Sequence, residues 1–149
     1  KILQDHVDKG IQIAKKYRLP KPIINFIPEH QGTLKMGYFL FKAKEKNKNV
    51  EESDFKYKGP IPQSKETAIL MLADGCEAAL RAMDINATDK EALKIISKII
   101  NSRIGDGQLL DINFKRGEIF LIKISFLNVW KRVRHRRIQY PSAKNNTFS

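Results

Sequence analysis

A chain of 149 residues has the length of one domain, which excludes a multidomain machine. Hydrophobic residues at 42% and charged residues at 30% are ordinary globular usage and exclude collagen-like, low-complexity and wholly disordered architectures. Twenty-eight Lys and Arg against sixteen Asp and Glu leave a net charge of +12, which points to an anionic partner, an acidic surface or a solvated basic face without choosing among them.

The first periodic segment, Ile2 to Arg18, places Leu3, His6, Gly10, Ile13, Ala14 and Tyr17 at helical spacing, so an amphipathic helix is expected with His6 on its inward stripe. Pro20 stops it, and Pro22 is well placed to open a second helix carrying Ile23, Ile24, Phe26 and Ile27. Pro28 strains the continuation, which predicts an irregular turn or distorted helix end from Glu29 to Thr33. Apolar residues from Leu34 to Phe41 then lead into the lysine-rich tract Lys42 to Asn49, a helix end followed by a loop. Gly59, Pro60 and Pro62, with Phe55 and Tyr57, suit an ordered connection over 51–63 rather than a regular element.

Ser64 to Met83 reads as a largely buried helix whose charged residues Asp74, Glu77 and Arg81 share one stripe that faces water or a polar cavity. Thr88 and Glu91 have capping-box spacing and open another helix, with Leu93, Ile96, Ile100 and Ile104 inward and Gly105 to Gly107 at its end. A last helix is expected over Asn113 to Val133. No strand-like alternation of comparable length competes and no repeat is visible, so the fold class is all-α.

One cysteine, Cys76, excludes an intramolecular disulfide and fits a reducing, cytoplasmic compartment. The best apolar run, Ile119 to Trp130, is broken by Lys123, Ser125 and Asn128 and falls short of the roughly 20 apolar residues of a membrane span. Lys1 stands where an initiator Met would, amphipathic sequence begins at once, and no secretory pattern is present, so a piece of a longer protein is expected. The final residues, Lys131 to Ser149, hold six basic and no acidic side chains and close on a polar ending expected to fray.

His6, His30 and Asp74 come from three separate helical segments. Two imidazoles and a carboxylate are a partial ligand set for manganese, iron, zinc or a similar ion, although a histidine on an apolar stripe is more often a core residue and an Asp beside Glu and Arg is more often solvated. The runs Asp5-His6-Val7, Phe26-Ile27-Pro28-Glu29-His30-Gln31-Gly32-Thr33, Tyr57-Lys58-Gly59-Pro60-Ile61-Pro62-Gln63-Ser64-Lys65-Glu66 and Leu72-Ala73-Asp74-Gly75-Cys76-Glu77, followed by Asp106-Gly107-Gln108-Leu109 and Arg137-Ile138-Gln139-Tyr140-Pro141, weigh against the bland reading. Together they resemble, in order and over nearly the whole chain, the catalytic domain of the membrane-anchored seven-transmembrane HD-superfamily phosphohydrolases, which hydrolyse cyclic di-AMP.

That resemblance implies an N-terminally truncated helical bundle of the HD type over residues 1–141, with a polar tail at 142–149. It also implies a phosphodiesterase site in which two divalent cations, manganese or iron, are bridged by a hydroxide that attacks phosphorus. His6, His30 and Asp74 match metal ligands of the family, and Asp74 is the matching catalytic carboxylate. Two departures stand out. The family's His-His pair is His30-Gln31 here, replacing an imidazole by a neutral amide, and the early His and the His-Asp pair have no counterpart in the chain. A fragment lacking the bridging carboxylate is expected to be inactive by itself. Gln31, Lys65 and Tyr57 are candidate substrate contacts: Lys65 at a helix start could meet a phosphate, and Tyr57 could stack on a purine. Their bland counterparts are a solvated first-turn lysine and a loop anchor. Arg103 and Gln108 are expected to be structural hydrogen-bonders at a helix end.

The implied partners are the cyclic dinucleotide, the missing part of the same domain and a membrane-anchored parent that holds the domain at the cytoplasmic face. Two other readings compete. One is a non-catalytic basic helical module that uses Lys131 to Arg137 to hold nucleic acid or acidic lipid, although no specific nucleic-acid partner is expected because aromatic interleaving is missing. The other is a degenerate sensor that binds the cyclic dinucleotide without cleaving it.

Overall fold

The computed structural model describes residues 2–47 and 49–138, with side chains assigned from residue 5 to residue 134. The expected frayed ending, the boundary at 141, the 142–149 tail and the basic side chains beyond Arg134 lie outside the described residues. Six helices follow in order among those residues: α1 (Ile2–Lys16), α2 (Lys21–Glu29), α3 (Gly37–Lys46), α4 (Lys65–Arg81), α5 (Asp89–Gly105) and α6 (Arg116–Ile138). No helix among them is long and apolar enough to cross a membrane.

Helix α1 ends where Arg18 takes a positive φ of 53°, with Leu19 N–H donating to Ala14 O and Arg18 N–H to Lys15 O, each at 3.0 Å. This is the left-handed closure that satisfies the last carbonyls of a helix, here made by Arg instead of the usual Gly. Pro22 lies in the first turn of α2, as its missing N–H allows. Pro28 does not end α2, which runs through Glu29 before the chain turns. The lysine-rich tract closes α3 at Lys46.

The connection over 51–63 is more structured than expected. It contains a 3₁₀ turn, Glu52–Phe55, and one isolated antiparallel bridge between Lys35 and Lys56, with Met36 N–H to Phe55 O at 2.7 Å and Tyr57 N–H to Leu34 O at 3.0 Å. These two bonds hold Tyr57 against the turn that follows α2.

Both long central helices begin in capping boxes, Ser64 with Thr67 for α4 and Thr88 with Glu91 for α5. The core lies where α4, α5 and α6 meet, around Ala68, Leu72, Cys76, Ala92, Ile96, Ile100 and Ile122, with Phe126 and Trp130 packed against it. Burying each large aliphatic side chain contributes about 1.5–3 kcal/mol relative to leaving it exposed. Burial pushes the Cys76 thiol up to about 11, against a weaker opposing pull from Arg103, so it is an inert core group. Arg134 donates to Ala87 O and lies over Trp130, with 5.0 Å from its guanidinium carbon to the ring centroid.

Several inward expectations are corrected by the layering. Ile104 of α5 is exposed, because the buried line of that helix runs through Ala92, Ile96 and Ile100. Ile69 and Leu70 of the supposedly buried α4 are also exposed. Helix α1 packs on α2, and α2 on α4, so α1 forms an outer layer in which Ile13 and Tyr17 remain exposed while Ala14 is buried. The α1–α2 approach is close at Gly10, where a Cβ would stand 2.9 Å from Ile27 Cγ2.

Candidate metal centre

The end of α2 positions the site. Helix α2 closes on His30, whose Nδ1 is 2.7 Å from Ile27 O and 3.1 Å from Phe26 O. A carbonyl accepts, so Nδ1 donates and Nε2 keeps the lone pair of the neutral ring. Metal-ligating histidines are oriented in this way, one nitrogen tied to a carbonyl and the other facing the ion. The next residue meets that lone pair first: the Gln31 carboxamide nitrogen is 3.0 Å from His30 Nε2.

His6 approaches from α1. Its ring stands edge-on to His30 with centroids 6.1 Å apart, and edge-on to Tyr57 at 5.9 Å. It is exposed, not tucked into the inward stripe that the periodicity predicts, because α1 is an outer layer and its stripe meets the turn after α2 and the loop at Tyr57. Asp74 lies on the exposed face of α4, in line with the stripe that also carries the Glu77–Arg81 ion pair.

The Tyr57 hydroxyl is held above the ordinary tyrosine value, chiefly by burial and further by the negative charge of Asp74. Tyr57 thus touches His6 and feels Asp74. Replacing Asp74 with Asn is expected to move the Tyr57 ionisation part of the way back down in an ultraviolet titration, burial keeping the remainder. A titration curve that ignores the substitution would put Asp74 out of reach of this ring.

The structure brings together His6, His30, Gln31 and Tyr57, with Asp74 acting on Tyr57. It does not close them into a cage: among the described residues no three His, Cys, Asp or Glu side chains are grouped to hold a cation by themselves. The donors nevertheless fit part of such a centre, since two imidazoles and a carboxylate suit borderline divalent ions and His30 already has its far nitrogen anchored. Lys65 is engaged elsewhere, its ammonium 2.6 Å from Glu118 Oε1 of α6 and over the Phe114 ring.

Two residues given no binding role in the sequence hold the site's frame. Glu29 is only 3% exposed, and its Oε2 accepts from Thr67 Oγ1 at 2.6 Å and from Gln63 N–H at 2.9 Å, tying α2 to the start of α4. A glutamate beside Pro28 at a helix end is ordinarily solvated, so no signal in the sequence marked it. Gln108, buried after α5, accepts from Thr33 N–H at 3.0 Å and donates to Thr33 Oγ1 at 3.0 Å, clamping the turn just past Gln31. The expected structural role of Gln108 is therefore the one observed.

No family model matches the chain. An uncharacterized protein of Synechocystis is 43% identical over 147 residues, covering 95% of this chain and 18% of that protein. The cyclic-di-AMP phosphodiesterase PgpH of Listeria monocytogenes is 39% identical over 144 residues, covering 97% of this chain and 20% of that protein. The crystal structure of the HD domain of that phosphodiesterase, in complex with cyclic-di-AMP, superposes with a TM-score of 0.82 at 37% identity, over 89% of this chain and 61% of the domain. The chain is a homologue of this HD domain. Its all-α architecture is the helical HD fold, as the order of its motifs implies. It spans about a fifth of the length of the curated relatives it matches.

Proposed function

We propose that the chain is the C-terminal and larger part of the catalytic domain of a metal-dependent phosphodiesterase that hydrolyses a cyclic dinucleotide, cyclic di-AMP by kinship. The observation that carries this reading is the meeting of two imidazoles from different helices, one with Nδ1 anchored to a carbonyl, beside a tyrosine that feels the Asp74 carboxylate. His6 and His30 would hold one divalent cation and Asp74 a second, manganese or iron. Bound cations would supply Lewis-acid stabilisation of the charge that develops on the phosphodiester oxygens.

The chain's own groups do the rest. His30 presents Nε2, with Ile27 O fixing the ring's orientation and tautomer. Tyr57, kept protonated well beyond neutral pH, presents a donor hydroxyl and a ring face beside His6, suited to a phosphate oxygen or a purine. Gln31 can turn its amide toward a phosphate oxygen. Lys65 would have to leave Glu118 to do the same. The partners that complete the site are the remaining part of the domain, bearing the missing ligands, and a membrane-anchored parent that places it at the cytoplasmic face. Alone, the 149-residue chain is expected to turn over little substrate.

The test is hydrolysis of cyclic di-AMP by the complete protein with manganese. Turnover that a chelator abolishes and manganese restores supports the proposal, and turnover indifferent to chelator contradicts it. One observation favours a second reading, a sensor that binds without cleaving: the Gln31 amide sits on His30 Nε2. Binding of cyclic di-AMP by the complete protein with no product after prolonged incubation would select it.

A further inference from the structure

His30 and Gln31 are adjacent at the end of α2, and the bond between them has a direction. His30 Nδ1 donates to the Ile27 carbonyl at 2.7 Å, so in the neutral ring the lone pair is on Nε2. The Gln31 atom 3.0 Å away is the carboxamide nitrogen, which donates and does not accept. Its N–H therefore points at the electron pair through which His30 would reach a cation.

The geometry points to Gln31 as a positioning residue that competes with the metal for His30 Nε2. Binding through this imidazole requires the carboxamide to release the ring and turn away. The inference rests on the metal reading above and adds to it the group that sets the affinity of the imidazole half of the centre. A neutral hydrogen bond exchanged against water has a modest net value, so the competition weakens metal binding about three- to tenfold and does not block it. Gln31 would also couple substrate to metal: a phosphate oxygen that captures the released N–H favours the state in which Nε2 is open.

The experiment uses the complete protein with histidine labelled in nitrogen-15, free of metal and then titrated with manganese, beside Gln31→Leu and Gln31→Ala. Leu keeps the volume without the donor, and Ala serves should Leu fail to fold. Removing the donor should move the His30 Nε2 resonance toward that of an unbonded imidazole nitrogen, with Nδ1 still protonated. Paramagnetic broadening of the ring should then saturate at about three- to tenfold lower manganese. An Nε2 resonance that stays put, or manganese acting equally on wild type and variants, overturns the competition and leaves the metal reading standing. Weaker manganese binding in the variants makes Gln31 a ligand and also overturns it. Manganese without effect on any of the proteins overturns both readings.

Discussion

In the complete protein, Asp74→Ala is expected to lower cyclic di-AMP hydrolysis by about 10²- to 10⁴-fold, the loss of several kcal/mol of charge stabilisation at about 1.4 kcal/mol per tenfold. The fold should be spared. Asp74 sits mid-helix on the exposed face of α4, where a change to Ala is a good helix former's substitution and falls within about 0.5 kcal/mol. Glu77, less than a turn further along and paired with Arg81 at 3.7 Å, supplies the control: Glu77→Ala removes a carboxylate from the same helix and should leave turnover within about twofold. Steady-state rates at saturating manganese separate the two. Equal activity of Asp74→Ala and wild type there would remove the carboxylate from the chemistry.

Gly32→Ala is expected to destabilise the protein by about 2–5 kcal/mol in urea unfolding, through two additive causes. Gly32 has φ of +53°, a left-handed conformation that costs a residue with Cβ about 1–2 kcal/mol. The added Cβ would also overlap Gln108 Oε1 and stand 2.7 Å from Met71 Cε. Met71 can shift its flexible end, but Gln108, itself buried, cannot without releasing Thr33 N–H. The turn that carries His30 and Gln31 should loosen with it, so metal affinity falls alongside stability. Gly37→Ala, whose Cβ meets nothing within 4 Å, is the control and should change stability by less than about 1 kcal/mol.

The helices were readable because their signals are local. Thr88 and Glu91 make a capping box in four residues, and Pro22 can only begin a helix or stop one. Asp74 was readable as a carboxylate facing water or a polar cavity, because three charges on an apolar helix select one face, but which of the two it faces was not. What depends on layering was not. His6 and Ile104 sit on genuine periodic stripes, yet both are exposed, since a stripe specifies a face and not what covers it.

Contacts between distant segments were equally hidden. The Lys65–Glu118 pair spans 53 residues, and its cost to a phosphate-binding role for Lys65 could not be seen from the first turn of α4 alone. Glu29 was passed over because burial of a carboxylate at a helix end needs donors, Thr67 and Gln63, that lie 38 and 34 residues away. Gln31 was visible as a departure from the family's pattern, but the lone pair it faces follows only from the rotamers of two neighbouring side chains and the Ile27 carbonyl. The short bridge between Lys35 and Lys56, which fixes Tyr57 near His6, joins a turn to a loop in which neither segment alternates.

Pulsed electron paramagnetic resonance on the manganese-loaded complete protein would ask whether the imidazoles of α1 and α2 reach the same ion. Nitrogen couplings from two histidines of this chain, one lost in His6→Ala and the other in His30→Ala, are the expected outcome. A manganese spectrum whose nitrogen couplings survive both substitutions would mean that the meeting of these two rings is packing and not a metal centre.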